Sequence, residues 1–321
     1  MTDSDLRRLL DDAVSDVHPE GGPEDIRARA RRPSAMRWLP ITVAAAAATA
    51  VVIAGGAWLA QRGPNSDAPA AAAGNDDRSA SQAPAGHPVD ATVYYVGATA
   101  AGPRLYPEAR HVTDATDSKV QVAVDEALTG TPKDPDYESA WPLPGTTAKV
   151  TTDSTLITVD LTLPSTQVDL EKGAGERALQ ALVWTADAAV GKDLPVQFTV
   201  DGQPGNLLDV DATAPIEKAS ADSVLATVLI EAPAQGATVP TQFTVTGRAA
   251  TFEANVVWEL KRGDATVRNG FTTAQECCTL APYSFTVNAP PGDYTLVVHD
   301  TDESDGEGIG TSEDTKDITV E

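Results

Sequence analysis

The stretch "WLPITVAAAAATAVVIAGGAWLA", Trp38–Ala60, runs 23 residues without a charge. About 20 apolar residues suffice for a helix to cross the hydrocarbon core of a bilayer. Trp38 and Trp58 stand near its two ends, where interfacial anchors sit. Arg27, Arg29, Arg31, Arg32 and Arg37 precede it with no acid among them after Asp25. The positive-inside bias therefore predicts a cytoplasmic leader (residues 1–37), a transmembrane helix (38–60) and an extracytoplasmic remainder. The alternative is a cleaved signal peptide, but its apolar region would be shorter and its charged leader less long.

The leader opens with Leu6, Leu9, Leu10, Val14 and Val17 at helical spacing. One short amphipathic helix makes no core, so residues 1–18 are a candidate contact for a cytoplasmic partner. After the span, residues 61–89 are Ala, Pro, Ser, Gly and Asp with almost no large apolar side chain, the composition of a disordered tether. The formal net charge of −24 over 321 residues argues against nucleic acid and against a polybasic lipid-binding surface. The Ala- and Asp-rich, Lys-poor usage has the style of a high-GC bacterium.

Residues 90–204 read as an α+β domain, with helices packed on one sheet. "VYYVG" and "RLYPEARHV" are strands joined through Gly102-Pro103, and "SKVQVAVDEALTG" is a short helix ended by Gly130. Two alternating strands flank "TDST". In "GAGERALQALVWTADAAVGK", Ala178, Leu179, Leu182, Val183, Ala186 and Val190 form one apolar stripe, with Gly191 at the C-cap. "PVQFTVDGQ" is the last strand. A linker over 205–224 follows. Residues 225–321 then carry seven short alternating runs separated by turns, the pattern of an immunoglobulin-like β-sandwich. Trp258, in "VVWEL", is placed to fill its core, and Tyr294, after "PPGD", to form a tyrosine corner.

On these residues the chain resembles two known families. "VYYVG", "RLYPEARHV", "YESAWPLPGT", "ERALQALVWTA" and "PVQFTVDG" make residues 92–201 similar to the GerMN domain of sporulation and germination proteins. "IEAPAQGATVPTQFTVTGRAATFEANVVWEL" and "PPGDYTLVV" make residues 226–321 similar to the Gmad-type, spore-germination immunoglobulin-like domain. The leader is similar to those before the anchors of actinobacterial membrane proteins. The resemblance implies envelope modules without catalytic residues to carry over.

The residues themselves show no nucleophile elbow, P-loop or His-Glu-x-x-His motif. His18, His87, His111 and His299 are scattered, with only His111 and His299 in folded parts. "HDTDESDGEG" offers Asp300, Asp302, Ser304 and Asp305, but a calcium loop wants Gly and Glu where Asp305 and Thr311 stand. No catalytic, cofactor or metal site is expected. Tyr137 and Trp141 in "YESAWPLPGT" are candidates for a ligand-contact loop, but packing of that loop onto the core is the favoured reading. Glu108 and Arg110 are candidates for a surface pair or a ligand contact. Cys277 and Cys278 are the only cysteines. With no spaced ligands or base nearby, oxidation is the expected chemistry. A vicinal disulfide is favoured over an intermolecular bridge or free thiols, although neighbouring Cα atoms are closer (about 3.8 Å) than ordinary disulfides require. The functional expectation is a non-catalytic envelope protein whose outer domains bind cell-wall polymer or envelope proteins. A transmembrane sensor signalling through the leader is the alternative, and a wall-active enzyme ranks below both.

Overall fold

A computed structural model of the chain describes residues 86–114, 116–165, 168–301 and 311–321. The expected leader, span and nearly all of the tether lie outside these residues, as does most of the acidic run after Asp300. Among the described residues no helix is long and apolar enough to cross a membrane.

The first domain starts with an antiparallel hairpin, β1 (His87–Gly97) and β2 (Arg104–Asp114), paired over its whole length. The strand begins inside the segment read as tether, so His87 as well as His111 and His299 belongs to folded chain. Pro88 is tolerated because the other side of β1 is unpaired there: β3 (Tyr137–Glu138) joins only at Val96 and Gly97. Between them, α1 (Lys119–Thr129) is capped by Ser118, whose hydroxyl accepts from the Gln121 amide. A second hairpin, β4 (Thr147–Thr152) and β5 (Ile157–Thr162), turns on Asp153, which accepts from Thr155 and Leu156. The helix α2 (Ala174–Val190) then crosses over to β6 (Val196–Val200), parallel to β5. The strands thus form two three-stranded sheets, β2-β1-β3 and β4-β5-β6, where a single sheet was expected. Alternation in sequence reports which strands have a buried face, not which strands share a sheet.

Helix α2 packs on α1 and β1 and is buried beyond its apolar stripe: Trp184, Thr185 and Asp187 are inside as well. Gly191 ends it in the left-handed region at φ 74°, its amide returning to Asp187 O at 2.8 Å.

Residues 205–224 are not a free linker. They form the small hairpin β7 (Asn206–Leu207) and β8 (Val210–Asp211) and the short helix α3 (Ala221–Val224). Leu207, Leu208 and Ala212 are buried in the first domain's core. Gly175 makes this docking possible: a Cβ there would stand 1.9 Å from Leu208 O.

The sandwich contains all seven expected strands: β9 (Val228–Ala232), β11 (Gln242–Ala249), β12 (Asn255–Arg262), β13 (Ala265–Thr273), β14 (Ala281–Asn288), β15 (Gly292–His299) and β16 (Glu313–Val320). A further short strand, β10 (Ala237–Val239), runs parallel to β16. Sheets β14-β11-β9 and β10-β16-β15-β12-β13 face each other across Val245, Val256, Leu260, Leu296 and Val298, all fully buried. The sequence pattern placed Trp258 at the core centre. It points inward but is only half-buried, stacked on Phe285 at 4.9 Å and lying against Gly270, where a Cβ would come within 2.7 Å of its ring. The centre is filled by aliphatic side chains, and the indole closes its β13 side. Tyr294 is buried and donates its hydroxyl to Pro290 O at 2.9 Å, four residues back, as a tyrosine corner does. Arg262 donates to the same hydroxyl and lies over the ring.

Candidate functional site

Tyr137 and Trp141 pack into the first domain's core, the reading favoured from the sequence. Both are buried, and their polar atoms are committed inside the fold. The Trp141 indole donates to Thr146 Oγ1 at 2.9 Å, and Tyr137 stacks on Tyr106 at 4.7 Å. Glu108 and Arg110 are likewise no surface pair. Arg110 bridges Glu108 and Glu126, each at 2.6 Å, and Glu108 also accepts from the amides of Lys133 and Asp134. This pins the loop after α1 onto β2.

That loop carries one half of a polar junction between the domains. Lys316, from the last strand, is only 4% exposed, and Asp134 and Asp314 are 1% and 4% exposed. The Lys316 ammonium donates to Asp134 Oδ2 at 2.8 Å, Asp314 Oδ1 at 2.7 Å and the Tyr137 hydroxyl at 2.6 Å. Tyr137 donates in turn to Asp314 Oδ1 at 2.7 Å, and Asp314 Oδ2 accepts from the Ile230 amide at 2.6 Å. Burial raises the carboxyl of Asp134 above the usual range, opposed by the Lys316 charge. Burial, reinforced by Asp314, drives the Tyr137 phenol far up, so it stays a donor. Apolar packing continues the junction. Leu225, Ala226 and Leu229 sit in the first domain's core, and the Ala226 amide donates to Leu105 O at 3.1 Å. The described residues, all of them within Asp77–Glu321, belong to one compact unit.

Beside this junction the first domain opens a cleft of about 650 Å³, within the range of small-ligand sites. Its walls are the β1–β2 turn (Gly102, Arg104), the first turns of α2 (Gly173, Glu176, Arg177), the β8 segment (Val210, Asp211) and α3. Leu179, Val210, Ile216 and Val224 supply apolar surface. Two guanidiniums and two carboxylates line it. Arg104 is tied to Ser223 O, and Asp211, held below the usual carboxylate range by Thr213, is occupied within its own turn. The guanidinium of half-buried Arg177 forms no ion pair or hydrogen bond among the described residues, and its Nη1 lies 3.3 Å from where a Gly173 Cβ would stand. Sequence reading missed this cleft because its wall is the segment taken for a linker. Cys277 and Cys278 lie elsewhere, exposed in the loop between β13 and β14, with their Sγ atoms 2.8 Å apart.

Comparison with known proteins assigns both domains. Residues 92–206 match the family described as sporulation and spore germination, and residues 227–307 match the immunoglobulin-like domain of bacterial spore germination. No curated protein matches the chain. Among solved structures, the chain is similar to the tandem GerMN domains of the sporulation protein GerM from Bacillus subtilis, at 17% identity and a TM-score of 0.33, covering 46% of this chain and 49% of that one. It therefore spans about half the length of that relative. A lipoprotein from Clostridium perfringens is similar at 16% identity and a TM-score of 0.28, covering 41% of this chain and 88% of that one. The chain carries a GerMN domain of the sporulation and germination family, followed by a Gmad-type immunoglobulin-like domain.

Proposed function

We propose that the protein is a non-catalytic component of the cell envelope, anchored through Trp38–Ala60, whose docked domain pair binds a segment of cell-wall polymer in the cleft beside α2. The observation that carries this reading is the cleft itself: an apolar floor with charges of both signs and one guanidinium, Arg177, left without a partner among the described residues. Peptide stems of wall polymer combine carboxylates, amines and short apolar side chains, and match such a lining. The sporulation and germination character of both domains agrees with an envelope role, and neither matched family is known for catalysis.

The test is co-sedimentation of the full-length chain, in detergent, with purified sacculi. Arg177→Ala should weaken binding by about tenfold or more, the scale of one charge-assisted hydrogen bond. Binding that is equally tight in Arg177→Ala would place the polymer elsewhere. The anchoring is tested by protease shaving of intact cells, which should digest residues beyond the span and spare the leader.

A further inference from the structure

The loop between β13 and β14 holds two thiols and is tied at both ends. At its start the Ala274 amide donates to Ala254 O at 2.8 Å and the Gln275 amide to Pro282 O at 3.0 Å. At its end the Leu280 amide donates to Asp222 Oδ1 of α3 at 3.3 Å, and the Leu280 side chain packs against the first domain's core. The loop therefore spans from the sandwich to the other side of the domain junction. Cys278 occupies the left-handed region at φ 67°, and the two Sγ atoms stand 2.8 Å apart with both residues exposed. In that contact the Cys278 thiol donates to Cys277 Sγ.

We propose that Cys277 and Cys278 are a reversible dithiol–disulfide modification site, closed by exchange with low-molecular-weight disulfides, and that closure loosens the loop from α3. In the first step the Cys277 thiolate attacks one sulfur of the small disulfide and expels one small thiolate, leaving a mixed disulfide on Cys277. In the second, the Cys278 thiolate attacks Cys277 Sγ and expels the other small thiolate. The protein loses two electrons and two protons, and one small disulfide becomes two small thiols. Adjacent Cα atoms across a trans peptide are about 3.8 Å apart, short of the roughly 4.4 Å minimum of ordinary disulfides. Closing the ring therefore requires the backbone at 277–278 to move. Cys278 also donates its amide to Thr251 O at 3.4 Å, and Leu280 follows two residues later, so the movement is passed directly to the contact with Asp222.

The test uses the full chain, reduced and then exposed to oxidised glutathione. Expected is loss of both titratable thiols, an intact mass lower by two hydrogens, no retained glutathione and no disulfide-linked dimer. Cys278→Ser should instead retain one glutathione on Cys277. Hydrogen exchange at Leu280 should quicken about fivefold on oxidation, the scale of one ordinary hydrogen bond lost, and stay unchanged in Cys277→Ser/Cys278→Ser. Persistence of two thiols, a stable glutathione adduct on the unmutated chain, or a cross-linked dimer would overturn the site. Closure with unchanged exchange at Leu280 would overturn the coupling to α3.

Discussion

Replacing Lys316 with Met tests the domain junction most directly. The ammonium lies 2.8 and 2.7 Å from two carboxylates that are themselves buried. At an effective dielectric of about 20, each contact of that length is worth about 6 kcal/mol before desolvation is charged against it. Desolvating three ions offsets most of this gain, so the network as a whole adds little. Removing one partner is different, because Asp134 and Asp314 then remain buried without compensation, which costs about 3–5 kcal/mol. For a unit of this size that corresponds to a fall in Tm of roughly 6–20 °C. The assay is urea and thermal unfolding of the full-length chain, followed by circular dichroism at pH 7 and again near pH 4. Lys316→Met should lose most at pH 7 and less at pH 4, where Asp134, whose carboxyl burial already raises, takes up a proton. Adding Asp134→Asn and Asp314→Asn to Lys316→Met should recover most of the loss, since the buried charge is then gone altogether. A loss under about 1 kcal/mol at pH 7, or a triple variant no better than the single one, would refute the reasoning.

Three other outcomes follow from the geometry. Gly175→Val should shift β7–β8 off α2, because the new side chain meets Leu208 O; a cost of about 1–3 kcal/mol and weaker sacculus binding would be read by thermal melts and co-sedimentation. Tyr294→Phe removes the donor to Pro290 O and the acceptor for Arg262, and unfolding in urea should show a loss of about 1–2 kcal/mol with an unchanged slope. Burial raises the carboxyl of Asp187 in the fold, while one of its oxygens has no partner. The folded state thus holds that proton more tightly than the unfolded chain, and the residue's contribution is full below its unfolded pKa and declines as pH rises through the folded value. Asp187→Asn should therefore gain on the parent protein between pH 4 and pH 7, measured as the difference in Tm, and a constant difference would sink the argument.

Local pattern carried much of the architecture. The alternation of the seven sandwich strands, the stripe of α2 and Gly191 at its end are each properties of a few consecutive residues, and each appears where the pattern put it. The hydroxyl of Tyr294 likewise closes on Pro290, only four residues back. The candidate site was far less legible. Alternation in "KDITVE" marks a strand but not the fate of its lysine: Lys316 is buried because Asp134, 182 residues away in sequence, faces it across the domain junction. For Tyr137 and Trp141 packing was favoured but their partners could not be named, because aromatics beside prolines have no period from which to read a buried face. Residues 205–224 looked like a linker because their few apolar side chains fit no helix or strand repeat, although Leu207 and Leu208 have a core to enter. Sequence by itself determined the elements, since these rest on backbone preferences and periodicity within a dozen residues. Only the tertiary structure decided which charges are buried, which segment walls the cleft and how the two domains lock, because a polar group is buried only when its partners arrive from elsewhere in the chain.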